Sequence, residues 1–243
     1  MTSRQRVDRL LVSRRLFESR ARAQAAIDAG LVTADGVLVR KASEEVSASA
    51  ALIAQHPHSY VSRGGIKLAA ALDHYDIDVT GRVCLDVGAS TGGFSEVLLL
   101  RGAKRVYAVD VGHGQLHASL RSRSEIVLLE KTDIRSLTPL QLVERPEIAT
   151  VDVSFISLKL VLPSIGNLLQ STAAIVALIK PQYEVGRSHL KKGIVRNASA
   201  RDAACDEIAA SLYSQGWRVG RPIPSPISGG DGNCEYFIEA ERG

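Results

Sequence analysis

The stretch Val83 to Phe94, VCLDVGASTGGF, decides the fold. An apolar run closed by Asp86 reads as a strand buried on both faces. The glycine-rich turn Gly88 to Gly93 follows it, and FSEVLLLRG continues as an amphipathic helix. Downstream the same rhythm returns in VYAVDVG, IVLLE, IATVDVSF and AAIVALIK, apolar runs of four to seven residues separated by helical stretches. Parallel strands alternating with helices imply a doubly wound α/β sheet. Two later runs, WRVGRPI and CEYFIEAE, lie close together and predict antiparallel strands added at one edge.

Upstream the character changes. Val7, Leu10 and Leu11 have helical spacing, Ser19 is placed to cap RARAQAAIDAG, and Gly30 is placed to stop it. LVTADGVLV then predicts a tight hairpin around Asp35-Gly36. This small α+β module is basic: residues 1–22 hold seven arginines and two acids, net +5, whereas the remaining 221 residues sum to −1. A basic end on a near-neutral body suits polyanion binding. Arg4, Arg6, Arg14, Arg15, Arg20 and Arg22, with Arg63 beyond the module, are the candidate RNA-phosphate contacts. The junction is expected in QHPHSYVSRGG, residues 55–65, dividing the chain into a basic unit over residues 1–58 and an α/β unit over residues 59–243.

The glycine turn is neither the dinucleotide fingerprint, because Ser90 stands where that pattern requires glycine, nor a P-loop, which ends in Gly-Lys-Ser/Thr. It resembles the Asp-x-Gly-x-x-x-Gly turn of class I methyltransferases, a Rossmann-like sheet whose ligand is S-adenosylmethionine. That resemblance assigns Asp86, Gly88, Ala89, Ser90, Thr91, Gly92, Gly93 and Phe94 to the cofactor. Asp110, 22 residues after Gly88, is placed to hold ribose hydroxyls, and Asp133 is placed to reach the adenine amine.

Absences narrow the acceptor. Cytosine C5 methylation needs a nucleophilic cysteine, usually in Pro-Cys or Thr-Cys, and neither dipeptide occurs. Exocyclic amine methylation usually shows Asn/Asp-Pro-Pro-Tyr/Phe after the fourth strand, where this chain has Asp152-Val153-Ser154-Phe155. Asp152, Lys180 and Glu235 instead stand at strand ends, and Lys67 lies on a helix preceding the sheet. Ligands of open α/β sheets bind at the carboxyl ends of the strands.

YVSRGGIKL, DVGASTGGFSEVLL, VDVGHGQL, VDVSFISL, LIKPQYEVG and GNCEYF together resemble the TlyA family of bacterial rRNA 2′-O-ribose methyltransferases, whose catalytic domain is FtsJ-like. Some of its members are also labelled haemolysins. RVDRLLVSRRLFESRARAQAAIDAGLVTADGVLV is similar to the RNA-binding domain of a ribosomal small-subunit protein and of many pseudouridine synthases. The resemblance implies a Lys-Asp-Lys-Glu tetrad at Lys67, Asp152, Lys180 and Glu235, the cofactor S-adenosyl-L-methionine, and ribosomal RNA or ribosomal subunits as partner. A ribose hydroxyl is a poor nucleophile, and a lysine deprotonates it only when a neighbouring cation or desolvation favours the neutral amine. Lys180 is expected to be that base and Lys67 the second cation, with Asp152 and Glu235 holding them. Tyr183 and Phe155 are candidates to contact a flipped nucleotide, with core packing the first expectation for Phe155.

The two alternatives are a membrane-active, haemolysin-like protein and a non-catalytic RNA-binding assembly factor. Leu160 to Ile179 carries no charge over 20 residues, but Pro163, Ser164, Gly166, Asn167, Gln170, Ser171 and Thr172 predict an apolar helix and an apolar strand instead of a membrane span. No export signal is read at the N-terminus, and the three separated cysteines suggest reduced thiols, so the expected location is cytoplasmic. No metal site is expected: His56 and His58 fall in the linker, and His113 and His117 at a solvated helix start.

Overall fold

The computed structural model describes residues 4–54 and 60–243, and the chain falls into two units, Met1–Ser59 and Tyr60–Gly243. His56, Pro57, His58 and the expected boundary after residue 58 lie outside the described residues.

In the first unit β1 (Arg4–Arg6) runs into α1 (Val7–Ser13), which buries Val7, Leu10 and Leu11. Ser19 caps α2 (Arg20–Asp28) by accepting from the Arg22 amide. β2 (Val32–Ala34) and β3 (Val37–Leu38) close around Asp35 and Gly36, at φ +50° and +78°, the two left-handed residues a type I′ hairpin requires. Two pairings go beyond the sequence reading: β4 (Glu45–Ser47) against β1, and β5 (Leu52–Ala54) against β2. Phe17, Ala23, Ile27, Val32 and Ala50 contribute to the core of this unit.

The second unit opens with α3 (Gly64–His74) and then alternates β6 (Val83–Val87), α4 (Gly93–Leu100), β7 (Arg105–Val109), α5 (Ala118–Arg121), β8 (Ile126–Leu129) and β9 (Ile148–Val151). It continues through α6 (Leu158–Leu168), β10 (Ala173–Ile179), α7 (Pro181–Glu184), β11 (Leu190–Lys191), β12 (Ile194–Val195), α8 (Ala198–Ser214), β13 (Arg218–Val219), β14 (Ile223–Pro224) and β15 (Tyr236–Arg242). The main sheet runs β13-β15-β10-β9-β6-β7-β8, with β14 also on β15. β10, β9, β6, β7 and β8 are parallel, and β15 pairs antiparallel along the whole of β10. The late runs therefore do add antiparallel strands, but β15 lies inside the edge.

Strand alternation sends successive residues to opposite faces. Cys84, Val106 and Val176 pack with Leu68, Leu72 and Leu98 of α3 and α4. Leu85, Tyr107 and Ile175 pack with Leu162, Ile165 and Leu212 of α6 and α8. The uncharged stretch becomes α6 and β10, and the break comes after Pro163, which sits inside the helix and forfeits one i→i−4 bond there. No described helix is long and apolar enough to cross a membrane.

Candidate active site

Carboxyl ends of parallel strands gather side chains from neighbouring elements, and here β6, β7, β8 and β9 end around one cavity of about 450 Å³. Gly88, Ser90, Asp110, Asp133 and Asp152 are among its lining residues. Gly88 sits at φ +84°, and a Cβ there would meet the Asp152 carbonyl oxygen at 2.3 Å, so only glycine lets β6 and β9 turn out this closely. The amides of Gly88 and Ala89 both donate to the Val109 carbonyl, which fastens the turn to β7.

Asp110 bridges the rim: Oδ2 accepts from the Ser90 amide at 2.8 Å and Oδ1 from the Gly112 amide at 2.6 Å. Ser90 Oγ in turn donates to Gln115 at 3.1 Å, a lining residue that the sequence reading missed. Asp133 is held by Arg135, whose Nε lies 3.0 Å from Oδ1 and whose Nη2 lies 2.6 Å from Oδ2, which keeps the carboxylate below its usual range. Arg135 was likewise missed, although it stands only two residues from its partner.

Other expected cofactor residues stand behind the cavity. Asp86 is fully buried and its Oδ2 accepts from Ser95 Oγ at 2.6 Å, while its Oδ1 has no partner. Burial pushes this carboxyl up to about 7. Ala89 and Gly93 are buried, and Gly92 packs against Leu116 and Leu120. The Thr91 carbonyl accepts from the His117 amide. Phe94 does not line the cavity with its side chain. It is a core residue, stacked on Phe237 at 6.2 Å between centroids, because its place in the first turn of α4 faces α3 and the sheet.

The tetrad positions form two ion pairs. Lys67 Nζ lies 2.5 Å from Glu235 Oε2, with both residues buried. Lys180 Nζ donates to Ser154 Oγ at 2.9 Å and sits 2.6 Å from Asp152 Oδ1, an ion pair without the geometry of a directed hydrogen bond. Ile179 pairs with Tyr236, so Lys180 and Glu235 are the next facing positions where β10 and β15 part. The register thus sets the two pairs side by side, and Asp152, one residue beyond the Val87 and Val151 partners, joins them to the glycine turn.

Phe155 also departs from expectation. It is 89% exposed, holds φ +64°, and lies 5.2 Å from the Tyr183 ring. An exposed phenylalanine in a left-handed conformation at a cavity rim costs free energy that a core residue would not. Among the described residues no group of three or more His, Cys, Asp and Glu is arranged to hold a metal ion. The cavity instead suits a cationic nucleoside ligand: it has carboxylates at three strand ends, backbone in close approach at Gly88, and apolar walls from Val111 and Ile134.

In the first unit several candidate arginines have structural partners. Arg6 and Arg20 both fork onto the buried Asp8, at 3.0 and 2.7 Å, and hold that carboxyl well below its usual range. Arg14 donates to the Ala48 and Ala50 carbonyls, Arg4 to the Glu45 carbonyl, and Arg22 lies 3.7 Å from Glu18. Arg15 is exposed with no ion pair to a described residue, as is Arg9, which the sequence reading passed over. In the second unit Arg63 is exposed at the start of α3, its guanidinium beside Gly230.

A profile of FtsJ-like methyltransferases matches residues 60–242, and one of S4 domains matches residues 5–52. The chain is 44% identical over 241 residues to the 16S/23S rRNA (cytidine-2′-O)-methyltransferase TlyA of Mycobacterium tuberculosis, covering 98% of this chain and 90% of that protein. It is 36% identical over 234 residues to a Brachyspira hyodysenteriae protein named Hemolysin A, covering 96% and 98% of the two. A solved Streptococcus thermophilus structure with a provisional hemolysin name superposes with a TM-score of 0.79 at 38% identity, covering 100% of this chain and 90% of that one.

Proposed function

The chain belongs to the TlyA family of FtsJ-like methyltransferases, and on that footing we propose that it methylates the 2′-hydroxyl of a cytidine ribose in ribosomal RNA, using S-adenosylmethionine. The observation that carries this reading is the pair of lysine–carboxylate contacts, Lys67 with Glu235 and Lys180 with Asp152, beside the glycine-turn cavity. When bound, the cofactor supplies an electrophilic sulfonium methyl. Gly88, Ser90, Asp110 and Asp133 would hold it, and Asp86 with Ser95 supports the turn from beneath.

Lys180 is the base. Its Nζ takes the hydroxyl proton, while Asp152 and Ser154 fix its position. Lys67, paired with Glu235, orients the hydroxyl oxygen. Phe155 and Tyr183 stack on the nucleotide brought to this edge. Residues 1–58 dock the RNA, residues 59–243 carry the chemistry, and the reaction belongs to the cytoplasm, where ribosomal RNA is made and folded. The haemolysin alternative has no comparable site in the described residues, because its one long uncharged stretch is consumed by α6 and β10.

The test is transfer of labelled methyl to separated small and large ribosomal subunits. Wild type is expected to label a single nucleotide whose 3′ linkage resists alkali, and Lys180→Ala to lower the rate by about 10²-fold or more with cofactor affinity kept. Labelling that survives in Lys180→Ala overturns the base assignment. Cofactor binding without transfer to any rRNA form overturns the acceptor, and absence of both returns the assembly-factor alternative.

A further inference from the structure

Between Glu184 and Asp202 the chain carries five Lys and Arg residues and no acid, a charge density comparable to that of the N-terminal module. This segment contains the β11–β12 hairpin, turned by Lys192 at φ +54° and Gly193 at φ +79°. Lys191, Lys192 and Arg196 are exposed, and none has an ion pair with a described residue. Arg201 is different: it is spent on the Val195 and Arg196 carbonyls and the Tyr236 hydroxyl, bracing the base of the hairpin.

The hairpin is fastened to the tetrad. Asn233, 1% exposed, donates to the Gly193 carbonyl at 3.0 Å and accepts from the Val195 amide at 3.0 Å, two residues before Glu235. Asp231 accepts from Asn233 and from Gln182, two residues after Lys180. The loops bearing Lys180 and Glu235 and the basic hairpin are therefore one hydrogen-bonded body. Lys191 and Lys192 at the turn and Arg196 at the base are like charges on one short hairpin that repel one another, and closely spaced anions relieve that repulsion. A phosphodiester backbone is such a partner.

We infer that the β11–β12 hairpin is an RNA-phosphate contact on the catalytic unit, with Lys191, Lys192 and Arg196 gripping the backbone beside the target ribose and setting it against Lys180. This rests on the rRNA reading above. The contact positions the strand and does not read its sequence.

The test measures the affinity of full-length wild type and Lys191→Ala/Lys192→Ala for protein-free rRNA transcripts and for ribosomal subunits over a salt series, together with methyl transfer. Removing two phosphate contacts is expected to weaken binding on the order of tenfold or more near 0.1 M salt. It also flattens the slope of log K against log salt by about 0.7 to 0.9 per lysine, with cofactor affinity kept. Unchanged RNA affinity and slope in a wild type that does methylate rRNA overturn this inference alone. Weakened binding to subunits with binding to protein-free rRNA intact also overturns it, and points to an acidic ribosomal protein. Failure of wild type to bind or methylate rRNA overturns the reading beneath it.

Discussion

Asp86 and Phe155 pay opposite costs at the same site. Asp86 carries a carboxyl raised to about 7 by burial, against 3.8 in the unfolded chain. Between those values the folded state keeps a proton that the unfolded state has released, so this contribution to stability is full below about pH 4 and is lost as pH rises through 7. Its size is on the order of 4 kcal/mol, at 1.36 kcal/mol per unit. Glu239, also raised to about 7 by burial, acts with the same sign. The urea midpoint is expected to fall from pH 5 to pH 8, and Asp86→Asn to remove a large part of that fall and Glu239→Gln a further part. A flat wild-type profile would disprove the buried-carboxyl account. Phe155, exposed and tilted against Tyr183, is expected to serve substrate and not packing. Phe155→Ala should lower kcat/KM for rRNA about tenfold or more with the melting temperature unchanged. Phe94→Ala, emptying a site between α3 and β15, should cost about 3–5 kcal/mol.

Among the elements, the glycine turn between β6 and α4 was the most legible, because its backbone demands and the apolar parallel strands around it both leave local marks in sequence. Its geometry separates two kinds of glycine. Gly36→Ala meets no atom within 4 Å and pays only for its φ of +78°, about 1 kcal/mol. Gly88→Ala pays that and drives a methyl into the Asp152 carbonyl, which must move with the tetrad. Cofactor affinity measured by calorimetry should therefore drop sharply in Gly88→Ala and hold in Gly36→Ala; equal behaviour would mean the turn is not the cofactor cradle. Less legible were β1 with β4, β5, and the β11–β12 hairpin, each two or three residues long and too short for a period to register. Phe155 was misjudged because apolarity argues for burial, whereas its exposure follows from a left-handed loop residue after β9. The acid-free run after Glu184 was visible in composition, but its nearness to Lys180 and Glu235 needed Asn233, a long-range contact that no local pattern encodes.

At the scale of the whole molecule, exposed cations without ion-pair partners among the described residues occur on both units, Arg9 and Arg15 among them on the first and Lys191, Lys192 and Arg196 among them on the second. Two weak phosphate contacts on one chain bind one RNA far more tightly than either alone, because the second contact becomes intramolecular. The sets share no side-chain partner, so their losses should add in log K if both grip the same rRNA molecule. Arg9→Ala/Arg15→Ala, Lys191→Ala/Lys192→Ala and the fourfold variant form the cycle, with binding to intact subunits measured at several salt concentrations. The slope is expected to flatten by about 0.7 to 0.9 for each cation removed, and the fourfold variant to show the sum of both losses. Cofactor affinity should stay constant throughout, since none of the four lines the cavity. A fourfold variant no weaker than the worse double variant would mean that the units engage RNA one at a time, and that methyl transfer does not depend on both being held together.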